Sequence, residues 1–157
     1  MGNQTNTGRF VVAQFCDDIR QEVGNKFSLM GCYGDQVIVE KFPIVLPKFC
    51  AHIRVFTPID RPFARLVVRA KLNTEIAAES MLPLERITPS HLRASQDNNL
   101  GRATLVAVIV LSPFVVTETS KLQIEAETED EIIPGSFVII REQAPRDAPN
   151  DSVDGGQ

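Results

Sequence analysis

From about residue 9 to residue 142, hydrophobic and polar positions alternate with a period of two rather than 3.6, the pattern of half-buried strands. The pattern predicts strands over 9–15 and 26–33. Between them, Asp17-Asp18-Ile19-Arg20-Gln21-Glu22 reads as a polar connection joining two apolar runs. Gly34-Asp35 is a turn signal that predicts a hairpin into the short strand 37–40. Pro43 and Pro47 bracket Ile44-Val45-Leu46, and because proline cannot donate to a ladder this segment reads as an edge or a crossover.

Residues 48–57 alternate cleanly, with Phe49, Ala51, Ile53 and Val55 on a core face and Lys48, Cys50, His52 and Arg54 on a wet one. Residues 64–73 do the same, with Leu66, Val68, Ala70 and Leu72 inward. Residues 74–81 fit a strand or a short helix. The run 103–111, apolar at both parities and rich in β-branched residues, predicts a central strand covered on both sides and the most buried element. Strands at 114–116, 121–128 and 137–140 follow, with an acidic turn at Glu129-Asp130-Glu131.

About seven or eight short strands without βαβ alternation predict an all-β, single-domain antiparallel β-sandwich of immunoglobulin or C2-like kind, with a small closed β-barrel as the alternative. The expected organisation is a disordered arm over 1–8, the sandwich over 9–142 and a disordered tail over 143–157, which is rich in Pro, Asp, Asn and Gly. The long irregular connection 84–100 is the loop expected to offer a contact surface.

Composition narrows the function. The 157 residues carry a net charge of −4 without a basic footprint, so no nucleic acid and no membrane are expected as partners. Three cysteines without paired spacing point to a reducing compartment, the cytoplasm, and the N-terminus lacks the apolar core of a signal peptide.

Candidate chemistry falls into a few groups. Asp17, Asp18, Arg20 and Glu22, with Lys26 and Asp35, form an acidic-basic cluster at one end of the domain, read as ion pairs and caps in preference to a calcium site. Cys50 and His52 share a strand face that Cys16 or Cys32 would reach from a neighbour, but no Cys-x-x-Cys pair supports zinc, and no cofactor is expected. Arg54, Arg65 and Arg69, with Lys71, suggest a basic stripe, and Phe56, Phe63 and Phe114 an exposed aromatic patch. Ser90 beside His91 lacks a nucleophile-elbow context, and no phosphate-binding or dinucleotide fingerprint occurs, so an enzyme is not expected. The closing Gly155-Gly156-Gln157 is read as plain tail.

Phe15-Cys16-Asp17-Asp18-Ile19-Arg20, followed by Glu22, Lys26, Ser28-Leu29-Met30-Gly31 and Tyr33, resembles the opening signature of a family of small uncharacterised bacterial proteins that share a domain of unknown function. Leu111-Ser112-Pro113-Phe114, Leu122-Gln123-Ile124 and Gly135-Ser136-Phe137-Val138-Ile139 resemble its closing pattern. The resemblance implies a bacterial or phage origin and a compact β domain, with no activity or catalytic residues to carry over. The leading expectation is a non-enzymatic module acting through an unknown protein partner or as a homo-oligomer, through the 84–100 loop, with His91, and the Asp17–Glu22 end. The alternatives are a small-molecule or nucleotide-binding protein using Arg54, Arg65 and Arg69, and a metal-dependent enzyme using Cys50, His52 and Asp17 or Asp18.

Overall fold

Alternating apolar residues that bury one face of a strand need a second sheet to bury them against, and the chain supplies one. The computed structural model describes residues 8–83 and 101–145. Eleven strands occur among them: β1 (Phe10–Glu22), β2 (Lys26–Cys32), β3 (Gln36–Val39), β4 (Ile44–Leu46), β5 (Phe49–Pro58), β6 (Leu66–Leu72), β7 (Glu75–Met81), β8 (Arg102–Leu111), β9 (Phe114–Val116), β10 (Ser120–Thr128) and β11 (Ile132–Glu142). The count exceeds the seven or eight expected because the short apolar runs and the ambiguous segment 74–81 also pair as strands.

One sheet has the order β2-β1-β5-β8, the other β3-β11-β10-β6-β7, and β4 and β9 form a two-stranded ribbon. The molecule is an all-β sandwich, and no sheet closes into a barrel. Val11, Phe15, Phe49, Ala51, Ile53 and Val55 of the first sheet share one core with Leu66, Val68, Leu122, Ile124, Val138 and Ile140 of the second. Ser136 of β11 bridges the layers, its Oγ accepting from Ala13 N at 2.9 Å. No helix long and apolar enough to cross a membrane occurs among the described residues.

Four expectations are corrected. The charged string Asp17–Glu22 is the second half of β1, paired rung by rung with β2, because its side chains find solvent or partners without leaving the ladder. The turn at Gly34-Asp35 makes no hairpin. β3 crosses to the opposite sheet and pairs parallel with β11, which buries Val37 and Val39 and is the one parallel pairing among the described strands. Phe63 and Phe114 are core residues, and Phe56 is half-buried against Phe10, so they form no exposed patch.

The fourth correction matters most for function. Among the described strands β8 is an edge strand paired only with β5, and its outward residues Val106, Val108 and Val110 are 36%, 36% and 48% exposed. Its doubly apolar pattern therefore reflects one buried face and one that the described residues leave partly exposed. The expected arm and tail, the 84–100 loop and the Ser90-His91 pair lie outside the described residues, apart from Gly8 and residues 143–145.

Candidate functional site

The outward face of the first sheet is roofed at one end by its own hairpin. Rungs Cys16–Cys32 and Asp18–Met30 flank a missing rung at Asp17 and Gly31. Gly31 has φ +64, open to glycine at little cost, and a β-carbon there would lie 2.0 Å from Asp17 Oδ2. Sheet register shows the consequence. Phe27 pairs with Gln21 while His52 pairs with Gln14, so a straight hairpin would separate their rows by seven positions, ~23 Å. Their rings instead lie 5.0 Å apart, so the outer half of the hairpin folds back across the sheet.

The fold-back leaves two clefts. One, of about 340 Å³, lies among Val12, Gln14, Leu29, His52 and Arg54. The other, of about 510 Å³, lies between the hairpin tip at Gln21, Asn25 and Phe27, the end of β7 at Met81 and Leu82, and the middle of β8 at Val106. His52 is held below its ordinary value by burial and, secondarily, by Arg54, so at neutral pH it faces the smaller cleft as a neutral imidazole.

The acidic residues at the bend are individually engaged. Tyr33 Oη donates to Asp17 Oδ1; burial and that bond push the phenol up to about 12. Lys48 Nζ donates to Asp18 Oδ1, which holds the carboxyl below the usual range and the ammonium above it. Ser28 Oγ donates to Glu22 Oε1 at 2.8 Å, and Arg20 is exposed on the rung opposite Ser28. The neutralising cation for Asp18 is thus chiefly Lys48, thirty positions away in the chain, with Arg20 a lesser contributor.

The three arginines of the expected stripe are separated. Arg54 lies in the first sheet, beside the ring of Phe56, whereas Arg69 lies in β6 of the second. Arg65 and Arg69 both pair with Glu127, and Arg69 also with Glu79 at 3.0 Å, which raises the Arg69 guanidinium and lowers the Glu127 carboxyl. Cys16, Cys32 and Cys50 do meet: Cys16 pairs in register with Cys32 on one side and Cys50 on the other. Among the described residues, however, no three His, Cys, Asp or Glu side chains converge to hold a metal ion.

A buried arginine that the strand pattern does not reveal closes the opposite end of the sandwich. Arg9, with its side chain fully buried, donates to Thr57 Oγ1 at 3.2 Å, the carbonyls of Arg61 and Pro62 at 3.2 and 3.1 Å, Asp130 Oδ1 at 3.2 Å and Glu129 Oε1 at 2.6 Å, and covers the ring of Phe63. Burial works to raise Glu129, but backbone amides and Arg9 outweigh it, and Arg61 chiefly lowers Asp130. This is a structural clasp, since the guanidinium ties Thr57 of β5 to the turns at Arg61-Pro62 and Glu129-Asp130. The acidic turn 129–131 and an arginine directly before the first apolar run were its only sequence signals.

The open edge of β8 is the remaining feature. Ile59 N donates to Gly101 O at 3.1 Å, in line with the β5–β8 ladder, so odd-numbered residues of β8 face β5. The even-numbered Thr104, Val106, Val108 and Val110 therefore turn their N–H and C=O groups to the free edge. No protein-family model matches the chain, and no curated protein matches it.

Proposed function

We propose that the chain is a non-enzymatic binding module that works by strand addition at the open edge of β8, and that the partner this edge fits is a second copy of itself. The observation that carries the reading is that, among the described residues, nothing guards β8. Edge strands normally carry charge, proline, a bulge or too little length to template another strand. β8 runs ten residues in unbroken register with β5, and Ala103 to Leu111 contains neither a charge nor a proline. The other edges are guarded: β7 bears Glu75 and Glu79 and a register shift opposite β6, β3 has four residues, and β2 is bent at Gly31.

A second copy suits the edge because a two-fold interface must be self-complementary. Antiparallel pairing about Ala107 sets Val106 against Val108 of the other copy and Val110 against Thr104. The outward valines then form one continuous stripe, and no charges of like sign meet within the paired segment. The resemblance of the opening residues supports placing such a module in a bacterial or phage protein.

The test is native mass spectrometry together with light scattering on the full chain at tens of micromolar. A dimer that Val108→Lys converts to a monomer with unchanged circular dichroism is expected. A wild-type chain that stays monomeric, or a dimer indifferent to Val108→Lys, would overturn the reading.

A further inference from the structure

We infer that Cys16 and Cys32 form a thiol-oxidation site, in which an exposed and a buried cysteine on adjacent strands close into an intramolecular disulfide at the hairpin bend. This does not depend on the self-association proposed above. All three cysteines are free thiols in the structure, Cys32 exposed and Cys16 and Cys50 buried.

Geometry selects the pair. Tyr33 N donates to Phe15 O at 2.9 Å, which makes Phe15–Tyr33 a hydrogen-bonded rung and Cys16–Cys32 the next, non-hydrogen-bonded one. Such rungs bring Cα atoms to about 4.5 Å, with side chains on one face, inside the roughly 4.4–6.8 Å span of a disulfide. The Cys16–Cys50 rung is a hydrogen-bonded one, whose side chains stand farther apart than those of the Cys16–Cys32 rung, and the Cys50 thiol is engaged with Asp17 O at 3.7 Å. The missing rung at Asp17 and Gly31, directly beyond the pair, lets the strands adjust their separation without straining a continuous ladder.

The oxidant is a small-molecule disulfide such as oxidised glutathione. The Cys32 thiolate attacks one of its sulfurs, forming a mixed disulfide and releasing the first glutathione. The Cys16 thiolate then attacks Cys32 Sγ, forming the protein disulfide and expelling the second. Two protein thiols are oxidised, one glutathione disulfide is reduced, and the thiol protons end on the two glutathiones. Burial, with the adjoining thiols, pushes Cys16 up to about 11, so the second step is limited by its scarce thiolate. Closure of the mixed disulfide should accelerate about tenfold per pH unit between pH 7 and 9.

The experiment treats the full chain with oxidised glutathione, quenches it with acid, and maps the linkage by peptide mass spectrometry under non-reducing conditions. A loss of two hydrogens per chain is expected, with a Cys16–Cys32 linked peptide that persists in Cys50→Ser. Cys32→Ser, an exposed and conservative change, should abolish it. A Cys16–Cys50 linkage, a Cys32–Cys32 linkage between chains, or a mixed disulfide on Cys32 that fails to close at pH 9 would each overturn the inference.

Discussion

A β-carbon on Gly31 would need two things at once, a left-handed backbone at φ +64 and the space occupied by the Asp17 carboxylate. Gly31→Ala should therefore lose roughly 1–2 kcal/mol to the backbone alone and more through displacement of Asp17 from Tyr33. Urea midpoints of Gly31→Ala, Asp17→Ala and the double variant test this. The double variant should be more stable than the sum of the single losses, since removing the carboxylate frees the space but leaves φ unchanged; strict additivity would contradict the close approach. At the other end, Arg9→Met should cost about 1–3 kcal/mol, because Glu129 loses its cation and the buried acceptors at Thr57, Arg61 and Pro62 lose their donor, while Asp130 keeps Arg61. Arg9→Lys should fall between, retaining charge but losing the fork that reaches several acceptors. A urea midpoint within experimental error of wild type for Arg9→Met would refute the clasp. Neither pairing is legible in the sequence, although the acidic turn 129–131 is. Gly31 sits inside an apolar run and reads as an ordinary strand position, while Arg9 meets Glu129 across 120 positions of chain.

At the scale of elements, period-two alternation located nearly every strand, because burial of one face is a local property of the side chains. It could not assign partners. The run 103–111 reads as central since an apolar residue left facing outward and one buried by a neighbouring layer look identical in sequence, and the sheet order places β8 at an edge of the described strands. The candidate site was half legible for the same reason. Asp17 and Asp18 stood out as charges, but their partners Tyr33 and Lys48 follow from register and fold-back, as does the row of three cysteines. The two faces of β8 give a direct check. Ile109→Ala, which empties a core position, should cost about 2–5 kcal/mol, whereas Val108→Thr on the outward face should stay within about 0.5 kcal/mol in the monomer. Chemical denaturation at sub-micromolar concentration measures both. Equal losses would mean that β8 is covered on both faces after all.

For the whole molecule, the shifted groups combine into one pH profile. His52 is depressed, so on acidification the unfolded chain takes up this proton first, below the ordinary value of 6.5, and stability falls from there toward the lower folded value. Asp18, Glu127, Glu129 and Asp130 are depressed as well. Their contribution is complete above the ordinary values of 3.8 and 4.5 and is lost as pH drops through and below them. On the alkaline side, Cys16 at about 11 and Tyr33 at about 12 stay protonated in the fold after the unfolded chain has begun to ionise at 9.0 and 10.0. Stability is therefore lost as pH rises through that range. The resulting profile is a plateau from about pH 6.5 to 9 with a shallow acid shoulder, a steeper fall below pH 4.5 and an alkaline decline. The shoulder is shallow because His52 is only half-buried, and among the described residues His52 is the histidine that supplies it. Melting temperatures from pH 3 to 11 on wild type and His52→Gln separate the stages: the variant should keep both outer declines and lose the shoulder. A shoulder that survives in His52→Gln would place the titrating group elsewhere and remove the imidazole from the account of the smaller cleft.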